Sequence, residues 1–294
     1  MENRTRGFLL ILFASLCLST LPAVVRFGLD RGATPLQLLT PRMVIGAALL
    51  WLWLGTTRPH RVRIDRAGLQ ACAVAGIINA VTLLLFYLGL RRVGASVAIL
   101  VFSTYPALLL LLLHLRGESV TRRDLLRLAL ALAGVALVAE PGASAVDPLG
   151  IAFIVISAGL YAVYMLIIHE RLVSYPASTS ALWIVTFLAL GAVLLRPLAE
   201  PAPPLDLIGW GVVLWSGIIG TAIARVATVG GVRLLGGGQT ALLLPAETVM
   251  TLAWAALLLG ERISAQQTAG AALVLTSVLL ATVFRRRPLP PLAP

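Results

Sequence analysis

Long apolar segments separated by short polar connections run along almost the whole chain. Each segment is close to the roughly 20 residues that an α-helix needs to cross the hydrocarbon of a bilayer. The connections contain proline, glycine and nearly all of the charge. The fold class predicted is therefore an all-α integral membrane protein, with ten transmembrane helices at residues 7–29, 36–54, 68–90, 94–115, 123–139, 148–168, 177–196, 206–229, 237–259 and 266–284.

The two halves of the chain repeat each other at a constant offset of 143 residues, which maps Gly7 onto Gly150 and Glu118 onto Glu261. Because each half has five predicted spans, an odd number, the second half has to enter the membrane from the opposite side. Inverted repeats of this kind are common in alternating-access transporters, whose substrate site lies at the repeat interface near mid-membrane. Chance similarity between apolar helices is the alternative. We divide the chain into two inverted five-helix repeats, residues 1–143 and 144–294.

The composition agrees with a surface that faces lipid. Hydrophobic residues make up 59% of the 294 residues and charged residues 12%, about half of the charged fraction of a typical soluble protein. All 23 basic residues are arginine. Without lysine the chain has no Walker A lysine for ATP phosphates and no lysine for a Schiff base, which argues against an ATP-driven pump.

The arginines also predict the orientation. With a cytoplasmic N-terminus they favour the cytoplasmic connections by about three to one, as the positive-inside rule describes. This bias accounts for the net charge of +11 without a nucleic-acid partner. We expect a multi-pass protein of the bacterial inner (cytoplasmic) membrane, monomeric or homodimeric, with both termini in the cytoplasm. Cys17 and Cys72 lie inside apolar segments, so we expect no disulfide, no metal site and no cofactor.

Glu247 is the first candidate for a residue that takes part in transport. It lies about ten residues into the predicted ninth span, where an ionised carboxylate is costly and has to be paired or protonated. Three interpretations are open. Glu247 is a proton-coupling group, or a ligand for a substrate ammonium, or a structural partner of Arg225 or of backbone donors freed near Pro245.

Aromatic and polar residues inside the spans suit a pocket for an amphipathic solute, because they combine an apolar face with a hydrogen-bonding group. The residues that we expect to bind substrate, beside Glu247, are Tyr161, Tyr105, Asn79, Trp215, Tyr164 and Thr20.

Prolines interrupt three of the apolar spans. A proline breaks a backbone hydrogen bond, which is tolerated where the helix lines protein or water. Pro22, Pro106 and Pro245 are therefore candidate hinges, with static kinks as the alternative. Arg26 and Arg42, predicted near the external ends of spans one and two, either bind a substrate carboxylate or snorkel to the headgroups.

Short motifs recur in a defined order along both halves, among them Tyr105-Pro106 and Gly117-Glu118, then Leu244-Pro245-Ala246-Glu247 and Gly260-Glu261-Arg262. Their order and spacing resemble those of the drug/metabolite transporter (DMT) superfamily, in particular its EamA-type ten-helix exporters. The resemblance implies a cavity surrounded by spans 1, 3, 4, 6, 8 and 9 and small organic substrates, with amino-acid exporters of the YddG kind favoured. This chain departs from a strict repeat, because Pro106 lies about four residues nearer Glu118 than Pro245 lies to Glu261.

These features predict a secondary transporter that exports small organic metabolites, amino acids foremost, by alternating access, either coupled to protons or facilitative. A channel or lipid scramblase is the first alternative. An intramembrane lipid-modifying enzyme is less favoured, because the three histidines, His60, His114 and His169, fall in loops or at span ends.

Overall fold

The computed structural model describes residues 2–93, 98, 101–118, 120–138, 147–198, 201–243, 246–259, 265, 266, 268–270, 272, 273 and 276. Within these ranges the chain is helical and contains no strand. The helices are α1 (Glu2–Ser19), α2 (Leu21–Asp30), α3 (Pro35–Thr57), α4 (Arg66–Arg92), α5 (Tyr105–Leu115), α6 (Arg122–Val138), α7 (Pro148–Arg171), α8 (Ala177–Leu194), α9 (Leu207–Trp215), α10 (Ala224–Leu235), α11 (Gly237–Leu243) and α12 (Ala246–Leu259). A π-helical segment, Ser216–Ile223, joins α9 to α10.

Six stretches of the described residues are long and apolar enough to cross a membrane, which confirms the predicted all-α membrane fold class. They correspond to the predicted spans 1, 2, 3, 6, 7 and 8. α5 and α11–α12 lie within the predicted spans 4 and 9, and α6 matches the predicted span 5 to within one residue at each end. These helices are not among the six stretches, so the full count of ten remains a prediction. The six stretches are Arg4–Asp30, Pro35–Thr57, Arg66–Arg92, Pro148–Arg171, Ala177–Leu194 and Leu207–Leu235.

The first helices of the two halves run in opposite directions. We call the end of the molecule where α1 begins the proximal face and the opposite end the distal face. Near the start of α1, Arg4 Nε donates to Gln239 Oε1 at 3.4 Å, and Gln239 lies in α11. The first residue of α11, Gly237, donates its N–H to His169 near the end of α7 at 2.9 Å. α7 therefore ends on the face where α1 begins.

Helix contacts between the two halves come in equivalent pairs. α4 packs on α7 as α10 packs on α1, and α5 packs on α7 as α12 packs on α1. α4 packs on α8 as the π-helical segment packs on α3, and the equivalent helices α3 and α8 pack on each other. Exchange of the halves leaves this contact pattern unchanged, as an inverted repeat requires.

Two glycines allow the closest of the equivalent contacts. A Cβ atom on Gly89 in α4 would lie 2.4 Å from Ile154 Cγ1 in α7. A Cβ atom on Gly231 in α10 would lie 2.3 Å from Ile11 Cδ1 in α1. Ile11 and Ile154 are 143 residues apart, which is the offset of the repeat in the sequence. The repeat detected in the sequence therefore corresponds to equivalent packing at these two positions.

Replacing Gly89 with alanine is expected to lower the melting temperature of the purified protein. The added methyl group overpacks the α4–α7 contact, a change that costs about 1–3 kcal/mol of unfolding free energy. Gly159→Ala in α7 is the matched control, because nothing lies within 4 Å of the Cβ that it adds. Thermal unfolding in detergent measures both variants, and an unchanged melting temperature for Gly89→Ala would contradict the close approach.

Helix interruptions lie beside two of the three candidate hinge prolines, whereas Pro41 lies inside the uninterrupted helix α3. Pro22 lies in the first turn of α2 and Pro106 in the first turn of α5. Thr20 and Thr104, each two residues before the proline, donate their hydroxyls to carbonyls three residues earlier, at 2.8 and 2.7 Å. Hydroxyls of this kind help to satisfy the backbone of broken membrane helices. The third candidate hinge, Pro245, lies outside the described residues.

Candidate functional site

A cavity lies between the two halves, with a volume of about 1040 Å³ including the open space at its mouth. Its apolar lining residues are Leu18, Leu21, Pro22, Val25, Leu83, Phe86, Leu90, Phe102 and Pro106. Its polar and charged lining residues are Arg42, Asn79, Thr82, Tyr87, Ser103, Tyr105, Tyr161, Arg225, Thr228, Glu247 and Thr251. Such a combination of apolar side chains and convergent polar groups is typical of small-molecule sites.

Arg42 contributes one of the two positive charges in the lining. Only 3% of the residue is exposed, and its Nε donates to Thr221 Oγ1 at 3.0 Å while its Nη1 donates to the Tyr87 hydroxyl. Thr221 reaches Arg42 from the π-helical segment, which packs closely on α3 because Gly46 has no side chain. Arg42 therefore does not snorkel towards the headgroups; its guanidinium is hydrogen-bonded inside the protein.

Arg225 contributes the second positive charge. Its Nη1 donates to the Tyr164 hydroxyl at 2.6 Å, and its guanidinium lies over the Tyr164 ring, 5.2 Å from the centroid. With the Asn79 amide oriented so that Oδ1 faces the guanidinium, Oδ1 accepts from Nη2 at 2.9 Å and from Nη1 at 3.1 Å. The Nε atom is buried and has no hydrogen-bond partner among the described residues. Asn79 and Tyr164 thus hold the guanidinium of Arg225 through Nη1 and Nη2, while its Nε–H lacks an acceptor among the described residues.

Glu247 is the one acidic residue among the described side chains that line the cavity. It lies in the first turn of α12, where the helix dipole favours a negative charge. Thr251, one turn later, lines the same cavity and donates its hydroxyl to the Glu247 carbonyl at 2.9 Å. Both Glu247 and Arg225 face the cavity, but in the part of the chain that the structure describes no ion pair joins them. Within that part there is also no group of three metal-ligating side chains.

An aromatic wall, defined as Phe86, Phe102, Tyr105 and Tyr161, forms one side of the cavity. Ring centroids are 5.0 Å apart between Phe86 and Phe102, and 5.4 Å apart between Phe102 and Tyr161. Tyr105 packs edge-on against Tyr161 at 4.8 Å. These residues come from both halves, and the distances fall in the range where aromatic pairs stabilise each other.

Three residues that the sequence predicted as substrate ligands, Trp215, Thr20 and Tyr164, lie outside the cavity lining. Trp215 is 47% exposed on the outer surface, and its Nε1 donates to Thr20 Oγ1 at 3.1 Å. Tyr164 is fully buried behind the cavity wall, where its hydroxyl bonds Arg225. The other predicted ligands, Glu247, Tyr161, Tyr105 and Asn79, line the cavity together with Arg225, Pro22 and Pro106.

Some lining residues were not predicted. Phe86 and Phe102 look like ordinary core residues in an apolar span, and no signal in the sequence marks them. Thr228 and Thr251 follow Arg225 and Glu247 by three and four residues, a spacing that places them on the same helix face. That spacing was the signal available for these two.

A hydrogen-bonded junction joins the two halves near the proximal face. His169 Nδ1 accepts the Gly237 N–H at 2.9 Å, so the proton of the neutral ring lies on Nε2, which donates to Glu118 Oε1 at 2.5 Å. Gly236, with φ of +80°, ends α10 and turns the chain towards this ring. We call His169, Glu118 and Gly237 the proximal latch. It joins the end of the first half's α5 to the second half.

On the opposite side the cavity extends towards the distal face. Leu90 is one of its lining residues and lies close to the distal end of α4, where Arg26 Nη1 donates to the Leu90 carbonyl at 3.0 Å. Inverted membrane-spanning repeats around a cavity of this kind define a membrane transporter of small molecules.

The chain belongs to the EamA-like transporter family, whose family model matches residues 5–139 and 148–283, one match in each half. It is similar to the uncharacterized transporter YcbK of Bacillus subtilis (strain 168), with 25% identity over 281 residues that cover 90% of this chain and 88% of the relative. A solved crystal structure of a protein has the same fold, with a TM-score of 0.80 and 20% identity over 95% of this chain and 97% of that chain. The names of family and relative point to a transporter and not to an enzyme.

Proposed function

We propose that this protein is a secondary transporter that exports small organic metabolites, amino acids foremost, by alternating access. The observation that carries the proposal is the cavity between the halves, in which Glu247 faces the same space as Arg42 and Arg225. An amino acid has a cationic and an anionic group, so it finds a partner of opposite charge for each.

The aromatic wall supports the same substrate class. Its rings offer apolar area for the side chain of the solute, while Asn79, Thr82 and Thr228 supply further hydrogen-bonding groups. Charged groups at membrane depth are costly and are retained mainly where they bind a substrate or an ion. The combination favours a solute that is charged at one end and apolar at the other.

The asymmetry between the two ends of the cavity supports alternating access. The proximal latch joins the halves at one face, and the cavity extends towards the other. Because the halves are related by an inverted repeat, rocking of one half against the other exchanges the closed and open ends. With a cytoplasmic N-terminus, as the arginines predict, the described conformation faces outwards.

Counterflow in liposomes tests the proposal. Vesicles that contain the purified protein are loaded with a high concentration of one amino acid, and uptake of the same labelled amino acid is followed. We expect transient accumulation that saturates with concentration for at least one amino acid. Absence of accumulation for every amino acid and common metabolite would contradict the proposal, and flux without saturation would favour a channel.

A further inference from the structure

In the part of the chain that the structure describes, one complete hydrogen-bonding edge of Arg225 has no acceptor. A guanidinium has five N–H groups in a fixed plane. Asn79 Oδ1 accepts one N–H from Nη1 and one from Nη2, at the end of the guanidinium farthest from Nε. The Tyr164 hydroxyl accepts the remaining N–H of Nη1. The N–H of Nε and the outer N–H of Nη2 are left over. These two lie parallel on the side of the group, at the spacing of a carboxylate's two oxygens.

Arg42 differs from Arg225 at this edge. Its Nε already donates to Thr221 Oγ1 at 3.0 Å, so the corresponding pair of N–H groups is not free. Both arginines are positive and both line the cavity, but only Arg225 retains the edge that binds a planar oxyanion through two bonds. The geometry therefore separates two arginines that look alike in the sequence.

The charge of the cavity favours the same ligand. Among the described residues its lining contains two arginines and one carboxylate, which leaves one positive charge in excess when all three are ionised. An uncompensated charge at membrane depth is unfavourable. A buried N–H without an acceptor, such as Nε of Arg225, adds a further cost. A carboxylate that reaches this edge relieves both.

We propose that the substrate is a carboxylate whose two oxygens bind the free Nε–Nη2 edge of Arg225, with its apolar part on the aromatic wall. This inference rests on the proposed function and deepens it, because it makes the carboxylate the group that the cavity selects. Nε is closed off from solvent in the described conformation, so the side chains that cover it move apart as the carboxylate arrives. Asn79 and Tyr164 act as positioning residues that hold the guanidinium with this edge free.

Four probes of similar shape test the proposal: phenylalanine, phenylalaninamide, phenethylamine and 3-phenylpropionate. Each is added to the purified protein in a thermal-shift titration and is loaded into vesicles as the counter-solute for labelled phenylalanine. We expect phenylalanine and 3-phenylpropionate to bind, and the amide and the amine, which lack the carboxylate, to bind at least about tenfold more weakly.

Arg225→Lys and Arg225→Gln identify the residue responsible. Lysine keeps the positive charge but has no planar pair of N–H groups. We expect both variants to lose the preference for the carboxylate probes, even where Arg225→Lys retains binding of phenylethyl compounds. Arg58→Gln, at an exposed arginine after the end of α3, is the matched control and keeps the preference.

The outcomes separate this inference from the proposed function. Equal binding of all four probes, or a carboxylate preference that survives in Arg225→Lys, would overturn the inference and leave a transporter of amphipathic solutes. Binding of 3-phenylpropionate without binding of phenylalanine, in the thermal-shift titration, would support the inference and contradict the amino-acid assignment. Failure of every probe to bind or exchange would contradict both.

Discussion

Glu247→Gln is expected to reduce amino-acid counterflow by about tenfold or more. The substitution keeps the shape of the side chain and removes the one negative charge among the lining residues that the structure describes. A hydrogen bond to a charged partner contributes about 1.5–3 kcal/mol, which corresponds to roughly 10- to 150-fold in affinity. The loss follows because the substrate ammonium then has no carboxylate partner. Counterflow in liposomes, with saturation curves for both proteins, measures the change.

The same variant separates the interpretations of Glu247. Glu247→Asp keeps the charge and serves as the conservative comparison, which we expect to recover part of the transport. If Glu247→Gln loses only uptake driven by a pH gradient and keeps counterflow, Glu247 couples protons and does not bind the ammonium. If transport and its pH dependence are both unchanged, Glu247 has neither role. A loss of thermal stability without any change of transport would instead favour a structural carboxylate.

His169→Phe is expected to shift the protein towards a conformation open at the proximal face. Phenylalanine fills a similar volume but has neither of the two nitrogens that bond Gly237 and Glu118. Loss of about 1.4 kcal/mol of stabilisation would change the ratio of open to closed molecules about tenfold. To measure the shift, Thr228 in the cavity is replaced with cysteine in a protein whose Cys17 and Cys72 have been removed. The rate at which an impermeant maleimide labels this cysteine is then followed in sealed vesicles of known orientation. We expect labelling from the proximal side to increase in His169→Phe.

His114→Phe is the matched control for the latch. His114 lies in the last turn of α5 near the same face, and it is exposed. We expect its substitution to leave the labelling unchanged. Equal labelling of Thr228→Cys with and without His169→Phe would show that the latch does not hold the proximal end closed.

In the 143-residue register His169 corresponds to Arg26, whose guanidinium bonds the Leu90 carbonyl near the distal face. The two positions thus lie near opposite ends of the cavity.

Much of the architecture was predictable from the sequence because a bilayer restricts the possible structures. Its thickness sets the length of a spanning helix, and α3, α4 and α7 lie where long apolar segments predicted them. The repeat was visible because equivalent helices keep equivalent small residues, such as Gly7 and Gly150. Glu247 and Arg225 stood out because charged residues are rare inside spans.

Which face of each helix looks inwards was decided only by the tertiary structure. A helix that is apolar all round has no polar stripe to mark its outer side. Trp215 was therefore expected in the cavity but lies on the outer surface. Arg42 was expected near the end of a span but is buried inside the protein. The free edge of Arg225 and the proximal latch depend on residues far apart in the chain, such as Asn79 with Arg225 and Glu118 with His169. The sequence by itself determined the number of apolar segments, the repeat and the charged residues inside them. Only packing determined which of those residues meet, because hydrogen-bond geometry depends on distances that no periodicity encodes.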